Sequence, residues 1–209
     1  MEEKLRSIIE QSAQLFIRLG VKSLTMDDIA KQLRISKKTL YQFVSDKNDL
    51  VKKCIQASCS SDCEVLESIR QQGLNAIDEL LAISEFVSKR LQHIHPSIFF
   101  DLEKYHPEAM AFFDQHRDQY IHQCIANNIQ KGIAEGLYRS NLNGAVVTQI
   151  YLSCMQHMLH GHGLNEANIP IAVAYRELIT YHLHGIASEQ GIAYIRKLAE
   201  QQDTHTEPH

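Results

Sequence analysis

SAQLFIRLGVKSLTMDDIAKQLRISKKTLYQFVSDKNDLV, residues 12–51, decides the fold of this chain. Upstream and into it, Leu5, Ile8, Ile9, Ser12, Ala13, Phe16 and Leu19 recur at spacings of three and four, the period of an amphipathic helix, and Gly20 ends that helix. Thr25 is placed as an N-cap, with Asp28 three residues on to complete an acidic capping box. The short helix it opens runs through Ile29 and Ala30 to Leu33. Ser36 supplies a second cap, and the spacing predicts a helix holding Lys37 to Phe43. Asp46 with Asp49 caps a fourth, longer helix through Leu50, Val51 and Ile55. Two short helices joined by a tight turn, the second one basic, outline a helix-turn-helix. Ala30 provides the small side chain that a close helix crossing needs. Ile29, Leu33, Ile35, Leu40 and Phe43 fall at inward positions, which leaves Lys37, Lys38, Thr39, Tyr41 and Gln42 on the outer face.

Beyond that outline, the run resembles the N-terminal domain of TetR-family transcriptional regulators. The resemblance rests on Phe16-x3-Gly20, Leu24-Thr25, Asp28-Ile29-Ala30, Ser36-Lys37, Thr39-Leu40-Tyr41, Lys47 and Leu50, over residues 6–51. A second echo, Gly132-x3-Gly136-Leu137-Tyr138-Arg139-x-Asn141-Leu142, is similar to the helix end and turn that precede the family's dimerising helices. Two residues depart from the pattern. Arg34 stands where the family usually has glycine, at a position of positive φ that costs a non-glycine residue about 1 kcal/mol. Val44 stands where an aromatic is common.

The resemblance implies an all-α protein: an N-terminal three-helix helix-turn-helix domain (1–50), a C-terminal helical ligand-binding and dimerisation domain (51–201) and a disordered tail (202–209). It implies a homodimer on a pseudo-palindromic double-stranded DNA operator, most simply a repressor, released by a small-molecule effector of unknown identity. The residues expected to contact DNA are Thr25, Ser36, Lys37, Lys38, Thr39, Tyr41, Gln42 and Lys47. Each has a plainer role beside this one. Thr25 is first a cap, Thr39 and Tyr41 can cap or pack, and the lysines can simply be solvated. The family encloses its effector in the middle of the second domain, where Phe86, Phe99, Phe100, Phe113 and Tyr120 are the candidate lining, although core packing accounts for such a set equally well. Val146, Ile150, Cys154, Met158, Val173, Leu178, Tyr181 and Gly185 mark the expected dimer face on helices at about 143–161 and 168–187.

Composition agrees with this division. Residues 1–53 carry a net +4 and the remainder −8 within an overall −4, a basic head on an acidic body. The remaining chain reads as helices at about 46–70, 74–92, 96–104, 107–135, 143–161, 168–187 and 191–201, broken at Gly73, Pro96, Pro107, Gly136, Gly161-His162-Gly163 and Pro170. No run of β-branched alternation suggests a sheet. Five cysteines, an odd number in helical contexts, fit a reducing compartment. With no apolar run near the ~18 residues of a membrane span and no signal-peptide pattern, a soluble cytoplasmic protein with no membrane partner is expected.

Catalysis finds no foothold: no nucleophile–base set, phosphate loop or paired carboxylates stand out, so no enzyme activity and no cofactor are expected. Among the twelve histidines, His157-x2-His160-x-His162 comes nearest to a metal set. Only Cys154 accompanies it at ligand spacing, so no metal is expected. Cys59 and Cys63, one helical turn apart, read as idle thiols rather than a redox switch. Two rival readings remain beside the regulator: a DNA-binding factor without an effector, and an all-α metal-dependent enzyme. DNA titration separates the enzyme from both binders, and effector-driven release separates the binders from each other.

Overall fold

The computed structural model describes residues 2–160 and 168–204, with side chains to 201. The Gly161-His162-Gly163 turn and residues 205–209 lie outside the described residues. Apart from one isolated antiparallel bridge, Tyr138–Ala187, the described residues contain no β pairing. The helices form two compact units, Met1–Glu67 with Arg90–Tyr120 and Ser68–Lys89 with Ile121–His209. The long helices α4 (Lys47–Arg70) and α5 (Ala76–His93) each contribute to both.

In the first unit, α1 (Glu2–Leu19) buries Ile8, Ser12, Leu15 and Phe16 on one stripe. Gly20, at φ 80°, closes it with its N–H donating to the Phe16 carbonyl at 2.9 Å. Helix α2 (Met26–Gln32) begins at the capping box expected from sequence: Thr25 Oγ1 accepts from the Asp28 N–H, and Asp28 accepts from the Thr25 N–H. Helix α3 (Lys37–Leu40) starts at Ser36, whose hydroxyl accepts from the Thr39 N–H at 3.0 Å. It is shorter than the sequence pattern predicts. Beyond Tyr41 the N–H groups of Gln42 and Phe43 reach back only three residues, to Thr39 and Leu40, so the last turn tightens to the 3₁₀ type. A second reciprocal cap then opens α4: the Asp49 N–H donates to Asp46, and Asp49 accepts from the Ser45 N–H.

Packing inside this unit corrects the expected inward set. Ile29 and Leu40 are fully buried, but Leu33, Ile35 and Phe43 are only half-buried, and Val44 takes the buried place at the end of the recognition segment. Arg34 adopts φ 56°, the left-handed conformation expected for a residue in glycine's place. Its side chain is exposed, so removing it opens no cavity. Arg34→Gly should therefore raise stability by several tenths to about 1 kcal/mol, read as a higher urea midpoint at constant m.

Helices α6 (Ile98–Tyr105) and α7 (Pro107–His116) complete the first unit. The single helix expected over 107–135 is in fact broken. A π-helical turn, Arg117–Ile121, separates α7 from α8 (His122–Ala134). Pattern counting misses an inserted residue of this kind. Here the buried Arg117 guanidinium binds Asp114, at the end of α7, at 2.7 Å and Asp118, inside the turn, at 3.0 Å.

The second unit packs α5, α8, α9 (Gly144–Leu159), α10 (Ile171–Ile186) and α11 (Glu189–Thr204). The Gly132–Tyr138 motif explains itself here. A Cβ at Gly132 would lie 2.1 Å from the Tyr138 ring, so only glycine lets the ring fold back onto α8. The buried Tyr138 hydroxyl is paired with the Ala76 carbonyl at 3.1 Å and Asn128 Oδ1 at 3.0 Å. Asn128 in turn donates to Glu79, which Lys131 binds at 2.7 Å. Helix α11 continues to Thr204, three residues into the stretch expected to be disordered.

Candidate nucleic-acid interface

Of the eight residues singled out for DNA contact, six lie at or within the starts of α2, α3 and α4, while Tyr41 is the α3 C-cap and Gln42 follows it. Thr25, Ser36, Lys37, Lys38, Tyr41 and Gln42 are exposed, whereas Thr39 and Lys47 are half-buried. An exposed tyrosine, 43% accessible here, is an uncommon use of a large ring unless a partner covers it.

Several of these groups already have work in the free chain. The Thr25 hydroxyl donates to Asp28 at 2.6 Å, and that bond is the first cause holding the Asp28 carboxyl below its ordinary range. The Ser36 and Thr39 hydroxyls stand 2.8 Å apart. Lys37 is paired with Asp27 at 2.8 Å, and its ammonium is raised by that hydrogen bond. A phosphate approaching Lys37 competes with an exposed carboxylate, a weak rival in water. Gln42 lies just past the α3 C-cap, with its amide exposed in the tightened turn.

Lys47 opens α4 in a partly desolvated position. Burial lowers its pKa, and Asp101 acts against that shift. The next residue, Asn48, places Oδ1 2.6 Å from Nδ1 of the buried His106. His106 is held below its ordinary value by burial first and then by the Lys47 charge.

One anchor was not legible in the sequence. Asp101 on α6 is 3% exposed, and its Oδ2 accepts from the N–H groups of Val21 at 3.1 Å and Lys22 at 2.9 Å and from the Ser97 hydroxyl at 3.1 Å. Gly20 shapes that cradle, since its positive φ precedes two successive N–H groups aimed at one carboxylate. The pair spans some eighty residues of sequence, so no local spacing reveals it.

The residues expected to line an effector site fall in different surroundings. Phe86 belongs to the second unit, whereas Phe99, Phe100, Phe113 and Tyr120 belong to the first. Phe99 and Phe113 have ring centroids 5.7 Å apart. The Tyr120 hydroxyl donates to the Cys63 carbonyl at 3.3 Å, and its ring stacks on His116 at 5.4 Å. Phe100 is 55% exposed, with the Lys104 ammonium 5.3 Å from its ring centroid. Near Tyr120, Cys63 Sγ lies 3.1 Å from His116 Nε2, and Asp62 faces Arg90 at 2.9 Å. Burial outweighs that partner and pushes the Asp62 carboxyl up to about 6.

On α9 and α10, Val146, Ile150, Cys154, Val173, Tyr181 and Gly185 are exposed and Leu178 is half-buried. Met158 is corrected: at 7% exposed it packs inside its own subunit. Among the described residues no three His, Cys, Asp or Glu side chains stand together as a metal set; His162 lies outside them. No helix among the described residues is long and apolar enough to cross a membrane.

Comparison with known proteins agrees with this geometry. Residues 8–54 match the family model for bacterial regulatory proteins of the tetR family. The chain is 24% identical over 110 residues to the uncharacterized HTH-type transcriptional regulator YvaF of Bacillus subtilis, covering 52% of this chain and 57% of that protein's length. A transcriptional regulator from Cytophaga hutchinsonii superposes with a TM-score of 0.72 at 18% identity, over 88% of this chain and 99% of its own. A putative regulator from Saccharomonospora viridis, solved in complex with choline, gives 0.72 at 16% identity, over 90% of this chain and 100% of its own. These two structures establish the two-part helical fold. The matched segment runs from within α1 into the start of α4, so this part of the chain is similar to the helix-turn-helix domain of the tetR family of bacterial regulatory proteins.

Proposed function

We propose that this chain is a sequence-specific transcriptional repressor that binds a pseudo-palindromic operator as a homodimer and is released by a small-molecule effector. The observation that carries this reading is the exposed polar face running from Ser36 to Gln42, on short helices that bury Ile29 and Leu40 and are capped at both starts. Such a face presents donors and charges to a groove while its backing holds them fixed. In this reading residues 1–50 read DNA and 51–201 supply dimerisation and effector binding, without catalytic activity, in the cytoplasm. The exposed apolar faces of α9 and α10 are the surface a second copy would cover. Within the first unit, Phe99, Phe100, Phe113 and Tyr120 are apolar groups of the expected set that an effector would meet. The choline-bound neighbour supports a small-molecule role for this fold. Release then follows as a population shift between two arrangements of α4, one of which holds the paired recognition segments at operator spacing.

The test is selection of a random duplex pool by the purified full chain. Enriched sequences should contain two related half-sites about one helical turn apart. Affinity for them should fall linearly on a log–log salt plot. Enrichment of a single asymmetric site, or none, would overturn the reading.

A further inference from the structure

Lys22, in the turn between α1 and α2, and Lys104, near the end of α6, both lie within reach of the Tyr105 ring. The Lys22 ammonium stands 5.0 Å from the Tyr105 ring centroid and the Lys104 ammonium 5.6 Å from it. Lys104 also lies 5.3 Å from the ring of Phe100, which is 55% exposed. Both lysines are exposed, and Tyr105 is half-buried. A hydrogen bond with the phenol raises Lys22 and, as the leading cause, lowers Tyr105. Two like charges drawn to one ring repel each other. The ring face offsets only part of that, and a bound anion would offset more.

The carboxylate that Lys22 senses does not cover these charges. Asp101 is 3% exposed, and its Oδ2 already accepts from the Val21 and Lys22 N–H groups and from Ser97. Its role is to fix the backbone from which the Lys22 side chain projects outward. The patch is also placed between two starts already assigned to DNA. Three residues after Lys22 comes Thr25 at the start of α2. One residue after Tyr105, His106 contacts Asn48 beside Lys47 at the start of α4.

We infer that the end of α6 and the turn before α2 form a second phosphate-contacting station of the DNA interface, outside the helix-turn-helix, with the Lys22 and Lys104 ammonium groups touching the sugar-phosphate backbone. Point charges on flexible stems suit phosphates and carry no base code. The inference rests on the DNA-binding reading above.

The test uses the full-length protein on the duplex that selection yields, with affinity followed against salt. Lys22→Gln and Lys104→Gln should each lower the magnitude of the log–log slope by about 1.8 per dimer, at about 0.9 per lost phosphate contact. The double variant should lower it by about 3.6 on the same scale, with the selected sequence unchanged. Lys22→Arg and Lys104→Arg keep the charge and should keep the slope. Lys89→Gln, a control on α5 where the lysine pairs with Glu85 at 2.6 Å, should also keep it. All variants change exposed side chains, and an unaltered thermal midpoint confirms folding. If the wild type binds duplexes without salt dependence, the DNA-binding reading itself falls. If the wild type binds as expected but the double glutamine variant keeps the full slope, only the second station falls.

Discussion

Ile150→Asp should yield a folded monomer that no longer holds operator DNA. Ile150 is 57% exposed on α9, and Val146 on the same helix is 51% exposed. On the neighbouring α10, Val173 is 40% and Tyr181 80% exposed. Four large apolar side chains left open on two adjacent helices mark a surface awaiting a partner. In a two-fold interface each substitution occurs twice, so two carboxylates would be buried near the same axis. Burying an unpaired charge costs several kcal/mol, enough to move a micromolar dimer out of reach. The monomer keeps only one half-site contact. Losing the tethered second contact costs on the order of 10²–10⁴ in operator affinity. Because the side chain is exposed in the subunit, helicity by circular dichroism should survive. Sedimentation at micromolar concentration reads the outcome, and a variant that still runs as a dimer would place the interface elsewhere. Tyr181→Asp, on the other helix, should act in the same direction.

What the sequence discloses follows from how local the cause is. The caps at Thr25–Asp28, Ser36–Thr39 and Asp46–Asp49 are three-residue signals, and all three form as read. Arg34 is legible because its turn geometry is set by the neighbouring helices rather than by its own side chain. The glycine stops at Gly20, Gly73 and Gly136 all take positive φ. Distant causes were not legible. The π turn at Arg117 depends on a buried guanidinium between two aspartates, and helical periodicity cannot register one extra residue. Met158 shares the apolar stripe of Ile150 and Cys154, yet the helix rotates it inward to 7% exposure. A stripe tells which residues are apolar, not whether they pack on their own subunit or on another. The aromatic set shows the same limit: Phe99 turns inward and Phe100, the next residue, turns out. Of the interface, the helix-start residues were visible from motif spacing. The Asp101 clamp and the lysines around Tyr105 were not, because each joins segments some eighty residues apart.

Gln42→Ala should relax preference at one operator position, whereas Lys47→Ala should weaken binding to every sequence alike. Gln42 carries both a donor and an acceptor on one amide, the pairing that fits the N6 and N7 edge of adenine. The structure leaves that amide exposed, one residue beyond the α3 C-cap in a turn whose backbone is pinned by the bond from its own N–H to the Thr39 carbonyl at 3.2 Å. A pinned backbone limits the rotamers that must be frozen on binding, which favours discrimination over mere contact. Losing the amide should cost about 1–3 kcal/mol on the best site and little on sites already mismatched at that position. Lys47 differs in kind. Its ammonium is a point charge with no forked geometry, at the start of α4 and partly desolvated. A phosphate replaces the water that burial has already thinned, so the contact serves affinity without reading sequence. Lys47→Ala should lower the magnitude of the log–log salt slope by about 1 per subunit contact. The two variants are compared on a panel of single-base operator mutants at several salt concentrations. An unchanged preference in Gln42→Ala, together with an altered one in Lys38→Ala or Thr39→Ala, would mean that the recognition segment docks in another rotation about its axis. That outcome has a physical basis in the structure: α3 proper ends at Leu40, and the tightened turn beyond it turns Gln42 away from the regular helical register of Lys38. The operator panel then tells which of the two reads the groove edge.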